Sequence, residues 1–220
     1  MTRMEAVTRQ GPLRIDTHGI ARNERILERI GRLRLDILDH GIFRGDLAWN
    51  RLGVVSPFSR LYFMEAHSGW LDTPSGRVDL VPGFMYLVPA YLRVDLRTEH
   101  RIEKLYLHFL ARFDGLDLFE GMDECLVLPM PDGFRDRLRE AMTRGDVTDL
   151  LAFQGLACEA VSRFAGLRLP EIEARLRLAD RYRDVHAYVD THLRASLAAR
   201  EVADALGRPC ASLERSYRQD

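Results

Sequence analysis

From Asn23 to Asp39 the apolar residues Ile26, Leu27, Ile30, Leu33, Ile37 and Leu38 return at intervals of three and four, with Arg and Glu between them. That spacing predicts an amphipathic helix, stopped by Gly41 and Gly45. Between Asp46 and Phe113 the pattern shortens to runs rich in Val, Tyr, Phe and Leu, cut by Ser56-Pro57, His67-Ser68-Gly69, Thr73-Pro74-Ser75-Gly76, Val81-Pro82-Gly83 and Pro89-Ala90. Strands are predicted near 46–55, 60–66, 69–73, 77–81, 84–88, 91–97 and 102–110, the spacing of a sandwich or small barrel able to enclose a cavity. After Pro131 the helical period returns over Phe134–Thr143, Asp146–Ala165 and, in two pieces, Glu171–Leu193. Residues 1–21 show no sustained period and carry Gly11, Pro12 and Gly19, so they read as an arm.

Composition narrows the classes. Across 220 residues, 46% are hydrophobic and 30% charged, the balance of a water-soluble globular chain rather than a disordered tail or a membrane span. Lys plus Arg total 32 against 33 for Asp plus Glu, so affinity for DNA has to come from a local surface. Lys104 is the single lysine; this skew toward arginine reads as compositional and assigns no site. Cys125, Cys158 and Cys210 lie far apart with no C-x-x-C pair, which suits a reducing compartment, and residues 1–10 show no apolar run behind their charges. The expected location is the cytoplasm, with no membrane partner.

Catalytic constellations are not legible. Metal-dependent barrels need clustered His and carboxylate ligands, whereas Leu92-Arg93-Val94 follows Pro89 and His67 has no second His two residues away. His186 and His192 are six apart and do not share a helical face. Nucleophile motifs and phosphate-cradling glycine loops are also lacking, so neither an enzyme nor a metal or cofactor is expected. Binding is the better reading. On the strand around 102–110, Tyr106 and His108 share one face and Leu105, Leu107 and Phe109 the other, so Tyr106 and His108 are candidates to touch a ligand or to be satisfied by neighbouring backbone. Trp49, Tyr62, Met64, Trp70 and Tyr86 supply bulk to the strands, and of these Trp49, Tyr62, Met64 and Tyr86 are taken as cavity candidates; Arg93 offers a planar fork for an anion. The helix from Val147 is apolar nearly all round, which predicts packing on more than one side and a homodimer along Leu151, Gln154 and Val161.

The segment from Gly69 through Pro74-Ser75-Gly76 and Val81-Pro82-Gly83 to Pro89, with the later Leu105-Tyr106-Leu107-His108-Phe109, resembles the sensor barrel of AraC-type (AraC/XylS) transcription regulators. Leu197 to Gly207 resembles the first helix and turn of that family's first helix-turn-helix, and Leu213, Arg215, Tyr217 and Arg218 match its recognition helix. The resemblance covers the chain from about Asp46 onward and departs in two places. Pro209 stands where the family has a capping Ser, and members continue beyond the position of Asp220 into a second helix-turn-helix, so this chain resembles part of a regulator.

The resemblance implies an α+β protein: an arm (1–21), a helix with a cupin-like, jelly-roll effector barrel (22–130), dimerisation helices (131–170), then a linker helix and a partial helix-turn-helix (171–220). It also implies a small-molecule effector and double-stranded DNA as partners. Ala211, Glu214 and Arg215 would read bases, and Arg208 and Arg218 would meet phosphates. A stand-alone cupin-type binding protein or isomerase-like enzyme is the alternative. A truncated partner that dimerises with a full-length regulator and blocks it is another.

Overall fold

The computed structural model describes residues 14–15, 21–22, 24–67, 69–192 and 197–219; most of the predicted arm lies outside them. Their contacts divide the chain into two compact units, 1–164 and 165–220.

In the first unit, β1 (Arg14–Ile15) pairs with β2 (Ala21–Arg22), and α1 (Glu24–Ile30) leads into β3 (Leu33–Gly45). A 3-10 turn (Leu47–Trp49) precedes β4 (Arg51–Val54), β5 (Ser59–His67), β6 (Gly69–Thr73), β7 (Gly76–Leu80), β8 (Phe84–Val88) and β9 (Val94–Arg97). Then come β10 (Ile102–Phe113), β11 (Leu116–Asp117), β12 (Leu126–Pro129), α2 (Phe134–Arg144) and α3 (Val147–Leu167), whose last residues pass into the second unit. All pairings are antiparallel. A six-stranded sheet runs β11-β10-β5-β8-β12 with β3 along β10, and a four-stranded sheet runs β4-β9-β6-β7. The protein is therefore α+β, with a two-sheet sandwich of the expected jelly-roll kind.

Alternation builds the sandwich. One shared core joins Tyr62 and Met64 of β5, Tyr86 and Val88 of β8, Leu71 of β6, Leu80 of β7, Val94 and Leu96 of β9 and Ile102 of β10. The opposite face of β5 presents Leu61, Phe63 and Glu65, and there Phe63 stacks on Phe134 of α2 at 5.6 Å. Helix α3 buries Phe153, Leu156, Ala157, Ala160, Val161 and Phe164, with Phe153 4.9 Å from the His40 ring. By length and mean hydropathy α3 also resembles a membrane-crossing helix, but one third of its apolar window is buried inside the protein itself.

The amphipathic helix expected over Asn23–Asp39 is corrected. Only Glu24–Ile30 is helical, and Leu33–Gly45 is a strand paired with β10 from Leu33↔Phe113 to Gly45↔Ile102. A helix that short has little stability of its own, whereas β10 pairs with β3 along its whole length apart from Leu38 at a bulge. Ile30, Leu33 and Ile37 fit a helical period while Leu33, Leu35 and Ile37 alternate as a strand, so tertiary pairing decides. Gly41 stops no helix: it lies opposite Tyr106, and a Cβ there would sit 3.0 Å from the phenol ring. The strand expected over 46–55 is likewise a 3-10 turn followed by a short strand.

The second unit contains α4 (Leu169–Arg181), α5 (Arg183–Thr191), α6 (Ala199–Ala205) and α7 (Cys210–Gln219). Its core is Tyr182, Val185, Val202, Ala203 and Leu213.

Candidate functional site

A cavity of about 600 Å³ opens between the two sheets, lined by β3, the 3-10 turn, β4, β5, β9 and β10, within the size range of small-molecule sites. Register explains which residues meet there. Tyr106 lies opposite Tyr62 and His108 opposite Arg60, so every second side chain of β5 and β10 points into it. A bulge between His108 and Phe109 brings Asp39 of β3 opposite His108. Trp49 is delivered by the 3-10 turn, which Asp46 caps by accepting from the Ala48 N–H at 3.0 Å. The exposed Asp39, Ala48 and Arg51 mark the mouth.

Charge in this cavity is one-sided. Arg51, Arg60 and Lys104 line it against Asp39 as the one carboxylate. Arg60 is 6% exposed and Lys104 4%. The Arg60 guanidinium donates to Ser56 Oγ and bonds the Tyr62 hydroxyl. The Lys104 ammonium sits over aromatic faces, 3.1 Å from the Tyr62 ring centre, 4.8 Å from Trp49 and 5.7 Å from Phe43. Among the described residues no carboxylate lies within 4.0 Å of either cation. Burial first, and the nearby Arg60 second, hold the Lys104 amine well below the ordinary lysine range.

His108 is pushed down to about 4, mainly by burial and then by Arg60, against a smaller opposing pull from Asp39. Its Nδ1 is 3.4 Å from Asp39 Oδ2, a distance that suggests an ion pair. The titration argues otherwise: at neutral pH the imidazole is uncharged and the contact is a polar one. Tyr106 also reaches Asp39, its hydroxyl donating at 3.4 Å.

Of the predicted cavity residues, Trp49, Tyr62, Tyr106 and His108 line the space. Met64 and Tyr86 are core filler, Tyr86 accepting the Val81 N–H at 2.9 Å instead of facing a ligand. Arg93 is exposed beside Gly53 and outside the cavity, because Val94 takes the inward position of that strand. Sequence reasoning missed Arg60 and Lys104. The signal for Lys104 was its being the one lysine in the chain.

In the second unit, α6 and α7 are two short helices joined by a turn over 206–209. Gly207 turns the chain at φ +63°, Ala203 is fully buried, and Leu213 packs inward with Val202. Glu201 accepts from the Ala198 N–H at 3.0 Å, and the Pro209 carbonyl accepts from Ser212 and Leu213. Ala211, Glu214 and Arg215 are exposed along α7. Arg208, expected at phosphate, is paired with Asp184 at 2.7 Å. The side chains of Tyr217 and Arg218 lie outside the described residues. On α3, Leu151 is 68% exposed and Gln154 is exposed, but Val161 is buried. Val161 is thus withdrawn from the predicted dimer stripe, because that face of α3 packs within its own unit.

No family model and no curated protein sequence matches the chain. Solved structures similar to it include ToxT from Vibrio cholerae, at 9% identity and TM-score 0.42 over 82% of this chain and 74% of that one. Wild-type ToxT with an unsaturated fatty acid bound aligns at 10% identity and TM-score 0.39, over 83% and 72%. The Clostridium difficile EutQ protein aligns over 50% of this chain and 100% of its own, at 10% identity and TM-score 0.25.

Proposed function

We propose that the protein is a ligand-responsive transcription regulator of the AraC type, a cytoplasmic non-enzyme that reads an effector in the sandwich cavity and DNA with α7. The observation that supports this is the presence in one chain of a largely apolar cavity carrying buried Arg60 and Lys104 and of a helix-turn-helix whose outer face presents Ala211, Glu214 and Arg215. The effector acts through its differential affinity for two arrangements of the protein. A homodimer forms along the outward stripe of α3, where Val147 is 72%, Leu150 56% and Leu151 68% exposed.

Selection from random duplex DNA at low salt tests the reading. The chain should enrich a recurring sequence, and Arg215→Ala should relax one base position by about 1–3 kcal/mol, the worth of one bidentate base contact. Enrichment of no sequence, or base preferences unchanged by Arg215→Ala, counts against it. Leu151→Glu should halve the mass measured by sedimentation; an unchanged mass places the dimer elsewhere.

A further inference from the structure

We propose that the cavity takes an organic carboxylate, its apolar body lying among Phe43, Trp49, Val54 and Leu96 and its anionic head set between Lys104 and Arg60. This deepens the effector reading and rests on it for the word effector, but the binding site stands on its own geometry.

Two buried cations on adjacent strands, with no acidic partner among the described residues, are costly to fold. Aromatic faces recover part of that cost for Lys104, and two hydroxyls serve Arg60. Neither arrangement supplies an anion. Three rings give the ammonium no hydrogen-bond acceptor, and Ser56 and Tyr62 leave much of the five-donor guanidinium fork unused. The wall around them is apolar and aromatic, so a bare inorganic ion would fill little of the space. A carboxylate on an apolar body satisfies both: it accepts from the fork and the ammonium, and its remainder covers the rings.

The groups facing Lys104 are Arg60 and Tyr62 on β5, Asp39 on β3, Arg51 on β4, and Tyr106 and His108 on β10. Asp39 is at the mouth, engaged with Tyr106 and His108. An incoming carboxylate would therefore be the first anion to reach the floor. Its arrival favours the charged form of the amine, opposing the effect of burial.

The single lysine makes this directly observable. Lysine carrying ¹³C at Cε gives the full chain one side-chain resonance, that of Lys104. The probes are 4-phenylbutyrate, octanoate and benzoate, each beside its amide, with inorganic phosphate as the ion alone. The resonance should move with at least one carboxylate, its titration midpoint should rise, and that acid should bind at least tenfold tighter than its amide. Phosphate should leave it unmoved. Lys104→Met and, separately, Arg60→Gln should each reduce the preference for acid over amide tenfold or more, followed by Trp49 fluorescence. Folding of both variants is checked by their melting transitions.

If no carboxylate moves the resonance, if acid and amide bind alike, or if phosphate alone reproduces the shift, the proposal is overturned. A variant that folds and keeps the full acid preference also overturns it. Carboxylate binding with no effect on DNA selection would instead sink the regulator reading and leave the site intact.

Discussion

On the outer face of β5, Glu65 is buried to 5% of its side-chain surface and is met by Arg139 of α2, whose Nε donates to it at 3.1 Å. Glu103 and Arg44, 2.6 Å apart, extend the group, so two carboxylates face two guanidinium groups. On the inner face of the same strand Arg60 is as deeply buried, and beside it stands Lys104, yet the described residues bring no carboxylate to either. Both faces carry buried charge; only the outer one is balanced from within the protein. Balanced charge at a sheet-helix contact serves the packing of α2, whereas unbalanced charge lining an open space lowers stability in favour of binding.

The largest expected effect comes from breaking the balanced side. Arg139→Ala leaves Glu65 buried without its partner and should lower unfolding free energy by about 2 kcal/mol, below the usual range for a buried pair because Arg139 is itself partly exposed. Urea titration at neutral pH measures this. Ligand affinity in the cavity should be unaffected, since Arg139 lies on the other face. No loss of stability would mean that Arg139 does not balance Glu65, and the contrast between the faces would fail.

Removing charge from the unbalanced side should do the opposite. Lys104→Met replaces a buried amine by an apolar chain of similar length and should raise stability by about 1 kcal/mol at pH 7. The sign with pH follows from the direction of the shift. Burial lowers the folded-state affinity of Lys104 for its proton, so between the depressed value and the ordinary lysine range the unfolded chain binds more protons. Wild-type stability contributed by this group therefore rises with pH across that window. The advantage of Lys104→Met should shrink toward pH 10, and an advantage constant with pH would place the amine's titration elsewhere.

Much of the sandwich is legible in the chain because β5 to β8 and β10 carry short apolar runs or alternating apolar residues between strong Pro and Gly breaks. The helices after Pro131 are equally plain, down to the division of 171–193. Residues 33–45 are not, because their spacing fits two periods and the deciding partner, β10, lies 57 to 80 positions away. The site was half legible. Tyr106 and His108 follow from alternation on one strand, and the same alternation puts Lys104 on their face. Arg60 needs the β5–β10 register, and its burial cannot be read from composition. Arg93 offered a planar fork to an anion, but it lies just ahead of β9, exposed beside Gly53, while Val94 turns inward.

The smallest expected effect concerns His108, which tests whether the inner face repels further positive charge. Its folded-state value of about 4 stands against an ordinary 6.5, so as the pH falls between them the unfolded chain takes up a proton that the folded protein refuses. Stability from this group is complete at neutral pH and is lost on acidification through that window. His108→Gln removes the titration while keeping a polar side chain near Asp39. Between pH 7 and pH 4.5 the variant should lose about 1 kcal/mol less than wild type, a modest figure because the ring is partly solvent-accessible. In Lys104→Met the difference should narrow, since Lys104 contributes to the depression after burial and Arg60. Parallel pH profiles for wild type and His108→Gln would show that His108 protonates without resistance. The Arg60 and Lys104 charges would then be screened by solvent or by an anion already in place, and the inner face would no longer differ from the outer one in the way its geometry requires.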